Sequence, residues 1–299
     1  MNNIKNSFSI KDLENLTGIK AHTIRIWEKR YNLLEPKRTD TNIRYYDLES
    51  FQKLLNVSYL NNNGYKISKI ATIEEQEIPQ LVREIATDSD VESHAINAFK
   101  LAMLNFDQAL FYKTYESLLK EKDFEAIFYD IFIPLLNETG ILWQTNTITP
   151  AHEHFISMLI RQKTLLNTEK TAFNQVNKST KTFVLYLPEN EIHELGLMFI
   201  NHQLINKGYH SIFLGQSVPI ESLVDLLNYY DDVTFISYFT IKPHKEGLLK
   251  YLNDFEQLII KTPKTKLWIL GQMLSTINTD ELPNGIEAFE TIKSLTQTL

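Results

Sequence analysis

The stretch "KTFVLYLPENEIHELGLMFINHQLINKG" (181–208) decides the fold of its part of the chain. It opens with a continuous apolar run, which is typical of a strand that is buried on both faces. After a short polar loop, apolar residues recur at three- and four-residue steps, which predicts a helix. His193 lies on the strand-to-helix loop, where open parallel sheets place their ligands. On this stretch alone an ordinary loop histidine is the favoured interpretation, so the rest of the chain has to supply the context.

The remainder of the C-terminal part repeats the pattern. The apolar runs "SIFLGQ", "VTFISYFT" and "KLWILGQ" alternate with helix patterns, which predicts a doubly wound parallel α/β sheet over 181–299. In such a sheet the carboxyl ends of the strands lie along one edge. That edge is expected to collect His193, Gly215–Gln216, Ser237 and Gly271–Gln272.

The middle of the chain is helical in pattern. Four segments carry apolar residues at helical spacing with short connections, which predicts a four-helix bundle over 76–170 whose apolar stripes form its core. The segments are 77–86, 92–121, 123–143 and 149–167. The polar, turn-rich stretch that follows predicts a linker at 171–180.

The first part, 7–75, has a different character. Ser9 is placed to cap a short helix with Asp12 as its acidic partner, Gly18 breaks the pattern, and a second short helix follows. A turn with Arg and Tyr on both arms and a third helix complete a predicted winged helix-turn-helix. Residues 1–73 carry a net charge of +5, whereas the rest of the chain carries −12. This asymmetry favours a polyanion as the partner of the first part, although a small basic segment also arises by chance.

The residue types of the first part suit DNA. Arginine and lysine pair with phosphates or guanine edges, and small polar or tyrosine side chains reach the backbone. Trp27 is assigned to the core, and one of the adjacent Tyr45 and Tyr46 is expected to pack inward. The candidate DNA-binding residues are His22, Thr23, Arg25, Arg30, Lys37, Arg38, Arg44 and Tyr46.

The string "FSIKDLENLTGIKAHTIRIWEKRYNLLEPKRTDTNIRYYDLESFQKL" (8–54) resembles the MerR family of winged helix-turn-helix regulators. The order and spacing of Thr23, Arg25, Trp27, Glu28 and Arg30, followed by Pro36-x-Arg38 and Arg44-Tyr45-Tyr46, carry the resemblance. It implies a dimer or tetramer that binds double-stranded promoter DNA at a palindromic site. The tryptophan variant of the motif is similar to the branch with large C-terminal sensor domains.

The loop "EIHELG" (191–196) resembles the cobalamin-binding fingerprint, which usually begins with aspartate. The resemblance implies that His193 ligates cobalt from below while Glu191 hydrogen-bonds the other imidazole nitrogen. It implies further that Gly196 admits the corrin ring, and that Ser237 and Gly271 lie against the buried nucleotide tail.

A second resemblance lies in the helical part. Trp143 is followed after nine residues by Glu153 and His154, the spacing found in light-responsive MerR-type repressors that sense adenosylcobalamin. In that family these residues cover the upper face of the cofactor. The order of the three motifs along the chain therefore predicts a transcriptional repressor with a cobalamin sensor that controls oligomerisation and operator binding.

Two positions depart from the pattern. Gln144 stands where the photoreceptor type has a second cobalt-binding histidine, and Gln272 replaces the second of two glycines. These residues leave open a MerR-type regulator whose sensor has lost cobalamin and answers to a protein antagonist or another ligand. A cobalamin-dependent methyltransferase or mutase module is the least favoured alternative, because no catalytic set with defined spacing is present.

Composition sets the remaining bounds. The chain contains no cysteine, which excludes disulfides, thiolate metal sites and cysteine nucleophiles. No run of about 18 apolar residues and no signal-peptide pattern is present. We therefore expect a cytoplasmic protein that is not an enzyme and has no membrane partner.

Overall fold

The computed structural model describes residues 7–62, 64–85, 91–145, 147–173 and 181–299. The chain divides into two compact units, Met1–Ile160 and Arg161–Leu299. The finer bounds inferred from sequence, at 75/76, 170/171 and 180/181, stay predictions. Within the described residues no helix is long and apolar enough to cross a membrane.

The first unit begins with a helix-turn-helix. Helix α1 (Ile10–Thr17) starts at Ser9, whose hydroxyl accepts from the Asp12 N–H while the Asp12 carboxylate accepts from the Ser9 N–H. This reciprocal cap confirms the sequence prediction. The helix ends at Gly18 with a φ of 74°, and α2 (Ala21–Tyr31) buries Trp27 as expected.

A small hairpin follows the two helices. Strands β1 (Lys37–Arg38) and β2 (Arg44–Tyr45) pair antiparallel. Phe8 and Tyr46 exchange backbone hydrogen bonds, so the chain before α1 lies along the end of the hairpin. Helix α3 (Leu48–Asn62) then packs on α1.

The helical region of this unit contains more helices than the sequence predicted. They are α4 (Ile67–Ile70), α5 (Ile78–Ile85), α6 (Val91–Asn105), α7 (Gln108–Leu118), α8 (Phe124–Ile127), a π-helical turn (Phe128–Phe132) and α9 (Ile133–Gln144). Segment 92–121 is not one helix: Phe106 has a φ of 52°, and Asp107 caps a new helix by accepting from the Leu110 N–H. Apolar periodicity continues through that break, which is why the sequence alone did not show it.

Helix α10 (Pro150–Ala172) continues from the first unit into the second. The first two residues of the predicted linker 171–180 are therefore helical, and residues 174–180 lie outside the described residues. The arrangement of α6 to α10 as a four-helix bundle stays a prediction.

The second unit is a parallel sheet with helices on both faces. Its strands are β3 (Thr182–Tyr186), β4 (His210–Gly215), β5 (Val233–Tyr238), β6 (Thr265–Leu270) and β7 (Ile286–Ala288). Their order in the sheet is β4-β3-β5-β6-β7, and every pair is parallel. The helical segments are α11 (Leu195–Asn206), α12 (Lys245–Ile259), α13 (Ile292–Gln297) and three 3₁₀ segments (Ile220–Asn228, Gln272–Thr276, Thr279–Glu281). The predicted doubly wound sheet is confirmed, with β7 added to the predicted strands.

The strand order locates the candidate site. From β3 the chain adds β4 on one side of the sheet and then crosses over to add β5 on the other side. The order in which strands are added therefore reverses between β3 and β5, although all strands stay parallel. In open α/β sheets this switch point is where ligands bind, because the loops after the two strands diverge to opposite faces. The loops in question are 187–194, which carries His193, and 239–244.

Candidate functional site

The loop after β3 presents His193 beside a buried carboxylate. The His193 imidazole is 45% exposed, whereas the Glu191 side chain is 1% exposed. Nδ1 of His193 lies 2.5 Å from Oε1 of Glu191, so the imidazole N–H donates to the carboxylate from that nitrogen. This contact fixes the tautomer and the orientation of the ring, as outer carboxylates do for metal-binding histidines.

The Glu191 carboxylate also joins the two loops at the switch point. Oε1 accepts from the backbone N–H groups of Ile192 and His193 at 2.9 and 3.0 Å. Oε2 accepts from the backbone N–H groups of three residues on the loop after β5, at 3.2, 2.7 and 2.8 Å; they are Thr240, Ile241 and Lys242. The sequence predicted the pair with His193, but nothing in the side chains of 240–242 could have predicted these backbone contacts.

The electrostatics of Glu191 follow from this geometry. Burial alone would raise the pKa of the carboxyl, but the hydrogen bonds from His193 and from the backbone outweigh burial and lower the pKa to about 2. The group is therefore ionised at neutral pH and accepts from Nδ1 of His193, which leaves Nε2 as the ring nitrogen that faces away from Glu191.

The loop after β4 supports the same segment from the other side. The Gln216 side chain donates from Nε2 to the Ile192 carbonyl at 3.1 Å, and the Asn190 N–H donates to the Ser217 hydroxyl at 3.1 Å. The His193 loop is thus held by hydrogen bonds to the loop after β4 and to the loop after β5. A site held in this way is preorganised for a ligand rather than formed by it.

The two residues expected beside a nucleotide tail lie at the ends of β5 and β6. Ser237 is fully buried, and its hydroxyl has no hydrogen-bond partner among the described residues, although Tyr186 lies nearby. Gly271 has a φ of 114°, and a Cβ there would lie 2.3 Å from the Phe239 carbonyl oxygen. The backbones after β5 and β6 therefore approach as closely as glycine permits.

Gly196 was expected to admit a corrin ring. In the structure a Cβ on Gly196 would lie 2.9 Å from Cε2 of Tyr238, so the ring of Tyr238 fills the space that the glycine leaves. Gly196 therefore makes a packing contact with Tyr238 in this conformation, and its direct contact with a cofactor stays a prediction. Tyr238 follows Ser237 directly, and its partial burial raises its pKa.

The motif in the helical region lies on the surface of the first unit. Trp143 is 49% exposed at the end of α9, and His154 is exposed on α10. The Glu153 carboxylate accepts from the Ser157 hydroxyl at 2.7 Å and lies 2.6 Å from Nδ1 of His154. Gln144, beside Trp143, is exposed as well.

His152 is not available as a cobalt ligand in this conformation. It is buried, its ring stacks on Phe106 at 4.7 Å, and its Nδ1 lies 2.8 Å from the Thr149 hydroxyl. The residue fixes the start of α10, which is a structural role. It therefore does not replace the histidine that is missing at Gln144.

The candidate DNA-binding side chains of the first unit lie on α2 and on the hairpin with the residue that follows it. Seven of the eight candidate DNA-binding residues are exposed or half-buried: His22, Thr23, Arg25, Arg30, Lys37, Arg38 and Arg44. Arg38 donates to the Asn42 side chain at 2.7 Å, and Lys37 pairs with Asp47 at 2.9 Å, so the hairpin cations are ordered. They remain accessible to a phosphate backbone.

Tyr46 was predicted to contact DNA, and the structure corrects this. Its side chain is fully buried, and its phenol donates to the Glu28 carboxylate. Burial and this hydrogen bond raise the pKa of Tyr46 well above its ordinary value. Alternation along the strand buries Tyr46 and leaves its neighbour Tyr45 half-exposed.

Glu28 is the residue that sequence reasoning missed as part of this surface. It accepts from Tyr46, and its Oε2 lies 3.6 Å from Nε of Arg44, so one carboxylate on α2 fixes the end of the hairpin. The sequence signal was present, since Glu28 belongs to the quoted MerR-like motif. Glu28 lies among cations on α2, so its sequence position did not indicate that it holds Tyr46 and Arg44 in place.

The geometry fits a corrin ligand in two respects. The exposed imidazole of His193 is oriented by a buried, ionised carboxylate at the switch point of the sheet. The buried hydroxyl of Ser237 lies at the end of the neighbouring strand β5, close to Tyr186 but with no hydrogen-bond partner within bonding geometry among the described residues; such a group costs about 1–3 kcal/mol unless something bonds it. The donor set also suits cobalt, for which imidazole is a good ligand.

Comparison with known proteins assigns both regions. Residues 8–77 match the model of the MerR HTH family regulatory proteins, and residues 95–164, which hold α6 to α9 and the start of α10, match the B12 binding domain. The chain is 29% identical over 224 residues to the HTH-type transcriptional repressor CarH of Myxococcus xanthus, covering 73% of each chain. It is 26% identical over 216 residues to the repressor CarA of the same organism, covering 72% of this chain and 70% of CarA.

A solved structure shows the same fold over most of the chain. The monomethylamine corrinoid protein of Methanosarcina barkeri aligns with a TM-score of 0.55 at 15% identity, covering 69% of this chain and 97% of that one. The fold and the two domain matches agree. The chain carries a MerR-type helix-turn-helix domain and a B12-binding domain, and it is a DNA-binding regulator with a cobalamin-type sensor.

Proposed function

We propose that this MerR-type regulator is a cytoplasmic repressor that binds promoter DNA as a homo-oligomer and releases or retains it according to the cobalamin it holds. The observation that carries the proposal is the exposed His193 oriented by buried Glu191 at the switch point. The named relatives, CarH and CarA, are repressors, which supports the sign of regulation.

Adenosylcobalamin is the form that we propose, since Trp143, Glu153 and His154 have the spacing of its sensors. When bound, cobalamin would supply a cobalt ion that accepts an imidazole nitrogen as a ligand. The roles of the chain are then separate. His193 would bind the metal through the nitrogen that does not face Glu191, Glu191 would hold the proton on the other nitrogen, and Ser237 would offer its hydroxyl to the cofactor at the end of β5.

The regulation follows from linkage. A ligand changes operator binding only if it binds the DNA-competent state and the incompetent state with different affinity. We propose that the two states are oligomers, dimer or tetramer, whose balance shifts when cobalamin binds. The likeness to the monomethylamine corrinoid protein is one of fold alone at 15% identity, so we assign no enzymatic activity.

The first experiment is an absorption spectrum after adenosylcobalamin is added in the dark and the protein is desalted. We expect the wild type to retain a corrin spectrum and His193→Ala to lose it or to show a spectrum without histidine ligation. Glu189→Gln, on the same loop but exposed, is the matched control and should behave like the wild type. A colourless wild type would contradict the proposal.

A second function is favoured by one specific contact. The ring of Tyr238 occupies the space beside Gly196, and Gln272 follows Gly271 where the cobalamin fingerprint has glycine. A regulator whose sensor takes a protein antagonist instead of cobalamin would have these features. Tyr238→Ala distinguishes the two: if it restores corrin binding to a colourless wild type, the ring of Tyr238 merely filled the space beside Gly196, and if it does not, the cofactor-free regulator is supported.

A further inference from the structure

We propose that Arg161 positions the cobalt-binding histidine, acting through the buried carboxylate of Glu194. This inference rests on the proposed function, because it concerns the same loop. Arg161 belongs to neither of the two cobalamin motifs. Arg161 lies on α10, the helix that also carries Glu153 and His154.

The pair has the geometry of a fixed contact. Nε of Arg161 donates to Oε1 of Glu194 at 2.7 Å, and the Glu194 side chain is 6% exposed. A carboxylate at that depth needs a counter-charge, because an unpaired buried charge is costly. Arg161 supplies this counter-charge from α10 with its guanidinium.

Glu194 is the residue directly after His193, so its position decides where the histidine backbone can lie. Its N–H donates to the Ile192 carbonyl at 3.0 Å, and its carbonyl accepts from Met198 at 2.8 Å in the first turn of α11. A Cβ on Gly215 would lie 3.8 Å from its Oε2, so the backbone after β4 closes the other side of the carboxylate. The side chain is held between α10 and the end of β4.

The carboxylates of Glu191 and Glu194 hold the loop on either side of His193. Glu191, two residues before it, fixes the imidazole nitrogen and joins the loop to 240–242. Glu194, one residue after it, joins the same loop to α10. A loop fixed on only one side can rotate about His193, whereas a loop fixed on both sides presents the imidazole in one orientation. Fixed orientation is what a metal ligand requires.

The test compares Arg161→Met with Arg161→Lys and with the control Lys250→Met. Lys250 forms an exposed pair with Asp254 in the same unit, so its loss removes a positive charge without touching the loop. In a dark titration with adenosylcobalamin followed by absorption, we expect Arg161→Met to weaken binding roughly 10- to 100-fold, as loss of an outer partner of a metal ligand does. Arg161→Lys should recover part of the loss, and Lys250→Met should match the wild type.

A second readout needs no cofactor. In NMR spectra of the cofactor-free protein, the resonances of the carbon-bound imidazole protons of His193 report the environment of the ring. They are assigned by their loss in His193→Ala. Arg161→Met should shift or broaden them, while Lys250→Met should not. Binding as tight as in the wild type, with an unchanged His193 signal, would overturn the proposal.

Two further outcomes are decisive. If the wild type binds no cobalamin, the proposed function fails, and the resonances alone decide whether Arg161 positions His193. If Arg161→Met does not fold, Glu194→Gln replaces it, because the amide keeps the volume and needs no counter-charge. A shifted His193 signal in folded Glu194→Gln supports the inference, and an unshifted one rejects it.

Discussion

The Glu191 carboxylate accepts hydrogen bonds from the His193 imidazole and from the backbones of two loops, so it fixes the position of all three. We expect Glu191→Gln to lower cobalamin affinity roughly 10- to 100-fold. The reason is that the amide NH₂ must face N–H donors whichever way it turns. Titration by absorption in the dark measures the effect. Glu189→Gln is the control, and equal affinity in both variants would contradict the assignment.

The same residue makes stability depend on pH. Its pKa of about 2 in the folded protein lies below the ordinary 4.5, so the ionised form stabilises the fold. The contribution is fully present above about pH 5 and is lost as pH falls toward 2. It is on the order of 3 kcal/mol by linkage. Urea unfolding of the wild type and Glu191→Gln between pH 7 and 2.5 should therefore converge at the acid end. Parallel curves would refute this.

Arg25 and Arg44 test the DNA surface one cation at a time. Both are exposed, on α2 and β2 respectively. Replacing either by alanine should weaken binding to a duplex selected from a random pool, and should reduce the slope of log affinity against log salt by about one. Fluorescence anisotropy at several salt concentrations measures both quantities. Lys113→Ala, an exposed cation on α7, is the control, and unchanged slopes for both arginines would reject the interface.

Among the secondary-structure elements, the loops after β5 and β6 are coupled by Gly271. A Cβ there would clash with the Phe239 carbonyl, which already accepts from the Met273 N–H at 3.0 Å and cannot move away. We expect Gly271→Ala to lower the free energy of unfolding by about 3 kcal/mol or more. Gly247→Ala, within α12 and with ordinary contacts, should be neutral or stabilising by about 0.5–1 kcal/mol. Equal stabilities in urea would show that the approach is not obligatory.

Element by element, the sequence predicted what depends on continuous patterns. The runs of β3 to β6 are long and apolar, so the sheet and its ligand edge followed from them. Strand β7 is three residues long and carries no comparable run, so it was missed. The break at Phe106 was missed because a positive φ in a phenylalanine has no sequence signal.

The candidate site divides in the same way. Glu191 and His193 were predicted as a pair because a motif states their spacing. The backbone donors of 240–242 and the pair of Arg161 with Glu194 come together only through folding. Tyr46 was assigned to DNA because alternation predicts that one of two adjacent tyrosines is buried but not which one. The sequence predicted which types of side chain the site contains, but it did not predict which of them point into the core and which point to solvent.

For the molecule as a whole, the question is how a sensor reaches the DNA-binding head. The first unit contains a direct connection between the head and the helical region: Nδ2 of Asn15, on α1, donates to the Thr147 hydroxyl at 2.9 Å. Thr147 is fully buried, its N–H donates to the Leu142 carbonyl at 2.9 Å, and Trp143 is the next residue after Leu142. The segment between Trp143 and Glu153 therefore contacts the helix-turn-helix itself.

We expect Asn15→Ala to uncouple the two functions rather than to abolish either. Operator affinity without cobalamin and cobalamin affinity without DNA should stay within about twofold of the wild type. The ratio of operator affinities with and without cobalamin should fall about fivefold, because one hydrogen bond is worth about 1 kcal/mol. Thr147→Val removes the same bond from the other side, so the double variant should lose no more than either single one. Additive losses, or an unchanged ratio measured by anisotropy in the dark, would show that the signal takes another route, since contact alone does not establish coupling.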